Sequence, residues 1–176
     1  MTLDAHGYVR GAPGALSMIR SGAYIDPLNP DPARIYVRDI ALGLSRLCRY
    51  GGHVEGFLSV ARHSLNVARI LRDEEPIVRL CGLLHDASEA YLGDIPRPLK
   101  QLPEFAAYRA AEDRLSRTIA ARFGLPFPFP PVVHAADDYV LLEIELPSLR
   151  HCWRSTPDRD EADFLDAYRT LKGLLS

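Results

Sequence analysis

Apolar residues recur at spacings of three and four along most of the chain, which is the pattern of helices with one buried face. A first helix is predicted from Asp39, as its N-cap, to near Gly51, with Ile40, Leu44 and Leu47 on its apolar face. Further helices are predicted over about 59–72, 77–93, 104–123, 132–146 and 158–175. Because no stretch alternates with a period of two and no repeat is present, the fold is predicted to be all-α. We expect a compact single-domain bundle of about six helices, with any strands minor.

The first 34 residues differ from the rest of the chain in composition. They are rich in Gly, Pro, Asp and Ser, and the run 26–32 contains three prolines, too many for a helix or a central strand. We therefore expect residues 1–34 to form an irregular N-terminal arm packed on the domain, and residues 35–176 to form the helical domain. At 176 residues the chain is long enough for one hydrophobic core.

The charge balance and the cysteines narrow the class of protein. A net charge of -2, from 21 basic and 23 acidic residues, gives no basic field to hold a nucleic-acid polymer. Cys48, Cys81 and Cys152 are odd in number and lie in apolar surroundings, which favours reduced thiols over a disulfide framework. Residues 1–20 contain no continuous apolar segment, and no later window approaches the roughly 20 apolar residues of a membrane span. We expect no membrane partner and a cytoplasmic protein.

The pair His85-Asp86 ends the apolar run Leu83-Leu84, where two polar residues are costly to bury unless something compensates them. His63 lies on the apolar face of the preceding predicted helix, which directs it toward the core. Imidazole and carboxylate groups together suit a divalent ion such as Mn, Fe, Co, Zn or Mg rather than a thiolate site. The pair taken alone is equally compatible with an N–H to carboxylate hydrogen bond in a structural core. The three residues together predict a metal site.

Glu89 supplies a further carboxylate close to this pair. Residues three and four apart share one face of a helix, so Ser88 and Glu89 are expected on the side of His85 and Asp86. A carboxylate beside a divalent ion that is not itself a ligand can orient a water molecule or accept its proton. Glu89 is therefore the predicted catalytic residue.

Three segments together resemble the HD-domain metal-dependent phosphohydrolases. They are Ser59-Val60-Ala61-Arg62-His63-Ser64, Leu84-His85-Asp86-Ala87-Ser88-Glu89-Ala90-Tyr91-Leu92-Gly93-Asp94-Ile95-Pro96, and an Ala-Asp pair on a late helix. The likeness covers roughly residues 22–150 and is greatest to the short single-domain branch that includes bacterial 5'-deoxynucleotidases and small deoxynucleotide triphosphohydrolases. It implies a helical fold, one divalent ion held by His63, His85, Asp86 and a late aspartate, and a homodimer.

Two consecutive residues compete for the place of the late aspartate. The Ala-Asp register of the resemblance selects Asp137, which follows Ala136. A glutamate seven residues after the ligand, also implied by the resemblance, would instead pair Asp138 with Glu145. Neighbours on a helix are about 100° apart around its axis, so only one of them can easily point at the metal. We expect Asp137 to be the ligand and keep Asp138 as the alternative.

Three further residues are candidates for contact with a substrate. Arg49 and Tyr50 occupy the position where members of the resembled family carry an arginine and an aromatic residue that contact the phosphate and the base or sugar. A guanidinium suits a phosphate and an aromatic ring suits a base, although Arg49 could equally cap helix carbonyls and Tyr50 could simply pack. The resemblance also implies that Asp94 accepts a sugar hydroxyl or helps to orient catalytic water, where the alternative is a turn anchor. Lys100 could add positive charge near a phosphate.

The predicted function is hydrolysis of a small-molecule nucleotide with the help of the divalent ion. The resemblance implies a nucleoside 5'-monophosphate, cleaved to nucleoside and phosphate. A deoxynucleoside triphosphate triphosphohydrolase, which releases triphosphate, is the nearest alternative because it uses the same set of ligands. An alternative of another class is a module that senses a nucleotide or a metal without turnover.

Overall fold

The computed structural model describes residues 17–22, 24–150 and 153–175, and most of these residues are helical. Within these ranges, six helices have nine residues or more, and two have four residues. The all-α prediction and the expected number of about six helices are confirmed. The helices are α1 Val37–Arg46, α2 Val60–Ile70, α3 Pro76–Leu84, α4 Glu89–Leu92, α5 Arg97–Lys100, α6 Ala106–Phe123, α7 Pro131–Tyr139 and α8 Pro157–Gly173.

The strands are short, as expected from the sequence. β1 Ser17–Met18 pairs antiparallel with β2 Tyr24–Ile25, and β3 Gly56–Phe57 pairs parallel with β4 Trp153–Arg154. Gly56 has a φ of +81°, and a Cβ atom there would lie 2.2 Å from the carbonyl oxygen of Trp153. Only glycine allows the two backbones to approach this closely.

The N-terminal arm is described only in part. Within its described portion, Ile25 is 1% exposed and belongs to the hydrophobic core. Residues 1–16 of the expected arm lie outside the described residues, and so does Cys152. Cys81 is a buried free thiol and Cys48 is a half-buried one.

Asp39 is not the N-cap of the first helix, and that prediction was wrong. α1 begins at Val37, so Asp39 lies in its first turn. There the buried carboxylate accepts a hydrogen bond from the backbone N–H of Ser21 at 2.9 Å. A carboxylate in the first turn is favoured by the helix dipole, and here it also binds the N-terminal segment to α1.

The predicted helix over 77–93 is interrupted at the His85-Asp86 pair. α3 ends at Leu84, residues 85–88 form turns, and α4 begins at Glu89. The backbone bonds in this interval, from the Ala87 N–H to the Leu84 carbonyl and from the Glu89 N–H to the Asp86 carbonyl, span three residues instead of four. These tighter turns replace the regular helix. Glu89 nevertheless lies on the same side of the segment as Asp86.

The core forms where α8 packs against α1, α2 and α3, and where α2 packs against α1 and α3, while α7 contacts α2 and α3. Ser59 is the N-cap of α2, because its Oγ accepts the Arg62 N–H at 3.0 Å. Among the described residues, no helix has both the length and the apolar character needed to cross a bilayer. The fully buried side chains of the core include Ile40, Leu44, Leu80, Leu84, Leu115 and Phe164.

Candidate metal centre

Four side chains from three parts of the chain bring their donor atoms together. His63 comes from α2, His85 and Asp86 from the turn after α3, and Asp137 from α7. Nε2 of His63 lies 3.6 Å from Oδ2 of Asp86 and 3.1 Å from Oδ1 of Asp137. Nε2 of His85 lies 3.2 Å from the same Asp86 oxygen and 3.9 Å from the same Asp137 oxygen. The group formed by His63, His85 and Asp86 can hold a metal ion.

The two histidines fit a metal better than they fit a hydrogen-bonded core. Both Nε2 atoms are buried, and neither makes an aligned hydrogen bond, although carboxylate oxygens lie 3.1 and 3.2 Å away. An unsatisfied polar atom inside a protein is costly. Two donors that bind one ion through bonds of about 2.1 Å are at most about 4.2 Å apart, and the four separations above satisfy this limit. A divalent ion would therefore satisfy both unpaired nitrogens at once.

The outer nitrogen of each imidazole is held by an acceptor. Nδ1 of His63 lies 2.8 Å from Oε1 of Glu145, and Nδ1 of His85 lies 2.8 Å from the carbonyl oxygen of Gly82. An N–H at Nδ1 leaves Nε2 as the nitrogen with the lone pair. Such outer contacts fix the tautomer and orientation of metal-binding histidines. Glu145 is thus part of this centre, although the sequence indicated it only as a possible partner of Asp138.

The electrostatics of the centre favour a positive charge between these donors. Burial acts against ionisation of Asp86, but His85, His63 and Arg49 outweigh it and hold the pKa of Asp86 well below its ordinary value. Burial likewise acts to lower the pKa of His85, whereas Asp86 and Asp137 raise it to about 9. The carboxylates therefore attract a proton or a cation to the unpaired His85 nitrogen.

The two candidate aspartates face different partners. Asp137 has one oxygen near the histidines, and its other oxygen, Oδ2, accepts a bond from Arg97 at 2.7 Å. The Asp138 side chain is 56% exposed and accepts the other arm of the Arg97 guanidinium at 2.6 Å. The structure thus brings Asp137, and not Asp138, to His63 and His85.

A change in helical spacing explains how Asp137 and Glu145 reach the same imidazole. α7 continues as a π-helical segment, Val140–Glu145. In an α-helix two turns span about seven residues, whereas the longer hydrogen-bonded ring of a π-turn adds one residue. Asp137 and Glu145 are eight residues apart, so the π-turn returns Glu145 to the side of Asp137. A regular helix would have favoured the pairing of Asp138 with Glu145.

Arg49 and Tyr50 lie beside the metal centre and share Glu145 as an acceptor. Arg49 donates from Nη2 to Oε2 of Glu145 at 3.1 Å, and its Nη1 is 4.0 Å from Oδ2 of Asp86. The Tyr50 hydroxyl donates to the same Glu145 oxygen at 2.9 Å. Tyr50 has a φ of 56°, a conformation that costs a residue with a side chain about 1–3 kcal/mol. The hydrogen bond to Glu145 helps to hold this strained turn.

A cavity of about 530 Å³ opens next to the donors. Burial, together with the charges of Asp86 and Asp94, raises the pKa of Glu89 to about 9, while Lys100 opposes the shift. Burial is also the main cause of the raised pKa of Asp94. A cation bound at the neighbouring donors would favour the ionised form of both groups. The predicted site residues that line the cavity are Arg49, Tyr50, Asp86, Glu89, Asp94 and Asp137.

Two residues of the site had no assigned role in the sequence analysis. Arg97 lines the cavity and binds both late aspartates, and Glu112 on α6 contacts Lys100 at 2.7 Å. The local signal for Arg97 is its position directly after Gly93-Asp94-Ile95-Pro96, a segment that the resemblance marks as functional. Glu112 lies on α6, whose charged residues have the pattern of an ordinary exposed helix face. Nothing in that pattern distinguishes Glu112 from the other charged residues of the helix.

The comparisons with known proteins give relatives but no activity. No family model matches the chain. It is 39% identical over 103 residues to the uncharacterized protein YfdR of Escherichia coli K12, an alignment that covers 58% of this chain and 54% of YfdR. It is 38% identical over 122 residues to an uncharacterized protein of Rhodobacter capsulatus, covering 66% of this chain and 62% of that protein. The chain thus spans between half and two thirds of the length of these relatives.

Proposed function

We propose that this chain is a metal-dependent phosphohydrolase of the HD-domain type that acts on nucleotides. The single observation that carries the proposal is the pair of buried, unpartnered Nε2 atoms of His63 and His85, which face the oxygens of Asp86 and Asp137 beside a cavity. Buried polar atoms of a structural core are normally hydrogen-bonded, so two unpaired nitrogens side by side indicate that a ligand belongs between them. The preferred substrate is a nucleoside 5'-monophosphate.

The chemistry requires an activated water and a proton acceptor. A divalent ion at the four donors would lower the pKa of a water molecule and withdraw charge from a phosphoryl oxygen. Hydrolysis forms a bond from the water oxygen to phosphorus and breaks the bond from phosphorus to the 5' oxygen. Glu89 takes the proton that the water loses, and the same proton can return to the departing 5' oxygen. The products are a nucleoside and inorganic phosphate.

The remaining cavity residues are suited to holding a nucleotide. Arg49 is oriented by Glu145, and its Nη1 points toward Asp86, where the phosphate of a substrate would lie next to the metal. The Tyr50 ring lines the same cavity and offers a face for a base or sugar. Asp94 lines it as well, and its carboxylate can accept a hydrogen bond from a sugar hydroxyl.

The position of Arg97 supports a second candidate substrate, a deoxynucleoside triphosphate. Arg97 lines the cavity, and its side chain is 49% exposed, so its guanidinium is accessible to a longer phosphate chain. A deoxynucleoside triphosphate triphosphohydrolase would use such a cation to hold the β- and γ-phosphates. The reaction product distinguishes the two functions, because one releases phosphate and the other releases triphosphate.

The test is product analysis with a panel of nucleotides. The purified chain is stripped with a chelator, reloaded with Mn, Co or Mg, and incubated with mono- and triphosphates of each deoxynucleoside, and anions are separated by ion chromatography. We expect inorganic phosphate from a monophosphate and no reaction in the chelated sample. Asp86→Ala should abolish the activity, whereas Asp113→Ala, which alters an exposed carboxylate, should retain it. Triphosphate as the product would replace the first candidate with the second, and no hydrolysis with any metal would favour a sensing module.

A further inference from the structure

Lys100 joins two glutamates at the wall of the cavity. Its Nζ donates to Oε1 of Glu89 at 2.7 Å and to Oε1 of Glu112 at 2.7 Å. The ammonium also lies 5.6 Å from the centre of the Tyr108 ring, and the Tyr108 hydroxyl donates to the Gly93 carbonyl at 2.7 Å. Lys100 is therefore held by groups on α4 and α6 while it belongs to α5 itself.

The two oxygens of Glu89 are in different situations. Oε1 accepts the bond from Lys100, whereas Oε2 is buried and has no hydrogen-bond partner. An unsatisfied buried oxygen costs about 1–3 kcal/mol, which a purely structural ion pair would avoid by satisfying both oxygens. Since Glu89 lines the cavity, Oε2 is the oxygen left for a molecule inside it.

We propose that Lys100 is a positioning residue that holds Glu89 by Oε1 and so presents Oε2 to the reacting water, with Glu112 fixing the lysine in turn. This inference rests on the proposed function, because it concerns the residue that accepts the proton. A carboxylate held in one orientation reacts faster than one that samples several, and a misplacement of about 1 Å can cost roughly a hundredfold in rate.

The geometry distinguishes this role from direct contact with a phosphate. An ammonium group has three N–H donors, and Lys100 directs two of them to carboxylates. The side chain is 18% exposed, and the Tyr108 ring lies against the ammonium. A lysine engaged in this way has little capacity left for a substrate, so its loss should change the rate of the chemical step and not the affinity for the nucleotide.

The test compares Lys100→Met with Lys172→Met, which alters the only other lysine of the chain. For Lys100→Met we expect kcat to fall about 10- to 100-fold, KM to stay within about twofold, and the bound metal per chain to equal that of the wild type. Lys100→Arg, which keeps the charge, should recover part of kcat. Lys172→Met should match the wild type. A raised KM with unchanged kcat, an unchanged kcat, or loss of the metal would each overturn the proposal.

A second variant covers the case in which Lys100→Met does not fold. Glu112→Gln leaves the lysine in place and should lower kcat in the same direction by a smaller factor, and an unchanged kcat would overturn the role of Glu112. If the wild type hydrolyses no nucleotide, the proposed function fails. The positioning role is then tested by comparing the position of the Glu89 carboxylate in crystal structures of the wild type and of Lys100→Met. A shifted Glu89 carboxylate would support it, and an unchanged carboxylate would overturn it.

Discussion

Oε1 of Glu145 accepts a hydrogen bond from Nδ1 of His63 at 2.8 Å, across 82 residues of chain. The other Glu145 oxygen accepts hydrogen bonds from Arg49 and Tyr50. Burial acts against ionisation of Glu145, but these neighbours hold its pKa below the ordinary value, so the carboxylate stays charged. One buried glutamate thus orients both a candidate metal ligand and the arginine proposed to bind phosphate.

Glu145→Gln should weaken metal binding about 10- to 100-fold, because His63 loses the charged acceptor that holds its Nδ1–H. The measurement is isothermal titration calorimetry with Mn²⁺ or Co²⁺ on chelator-treated protein. Glu143→Gln is the matched control, since Glu143 lies on the same π-helical segment and is exposed. Equal affinities for the two variants would show that Glu145 does not support a metal ligand.

Asp137→Asn and Asp138→Asn should differ in metal affinity when both are measured by the same titration. Only Asp137 places an oxygen within 3.1 Å of the unpartnered His63 nitrogen, whereas Asp138 pairs with Arg97 at the surface. We expect Asp137→Asn to lose at least tenfold in metal affinity and Asp138→Asn to stay within about twofold of the wild type. The reverse order would assign the ligand to Asp138.

Glu89→Gln should keep the metal and lose turnover. A general base contributes about 10²- to 10⁴-fold to a rate, so kcat is expected to fall by that factor while the titrated metal affinity is unchanged. Glu104→Gln, an exposed glutamate near the start of α6, serves as the control. Loss of metal in step with loss of rate would identify Glu89 as a ligand instead of a base.

Asp160→Asn should destabilise the fold without touching the cavity. Asp160 is fully buried and accepts hydrogen bonds from Ser59 and Ser155 and from Nε of Arg62 at 2.8 Å. Removing the charge of a buried ion pair lowers the free energy of unfolding by about 3 kcal/mol. Urea unfolding, followed by the fluorescence of the single tryptophan, measures this change. Asp163→Asn removes a partly exposed partner of the same arginine and should cost less than about 1 kcal/mol. Equal effects would contradict this account.

Cys81 should resist alkylation in the folded protein. Its side chain is fully buried, and burial raises the pKa of its thiol to about 11, so almost none of the reactive thiolate is present at pH 8. Mass spectrometry after treatment with iodoacetamide should find Cys81 modified only when urea unfolds the chain. Rapid modification under native conditions would show that this part of the core opens easily.

Much of the fold and part of the candidate site could be predicted from local patterns. The spacing of Val60, His63 and Val67 put the histidine on a buried helix face, and the structure has it there with no exposed surface. The prediction of Asp39 as the N-cap of α1 failed because a residue from another segment binds its side chain. Asp39 has the chemistry of an N-cap, but the N–H of Ser21 from another segment takes its carboxylate.

The sequence by itself determined the helical class and the residue types that can hold a metal, because helix periodicity and ligand chemistry are properties of near neighbours in the chain. Only the tertiary structure decided which aspartate faces the histidines, that Glu145 supports His63, and that Lys100 holds Glu89. Asp137 meets His63 across the packing of α7 on α2, and a single π-turn changes which later residue shares its face. Contacts of this kind depend on how distant helices pack and where their spacing changes, and no local pattern encodes either.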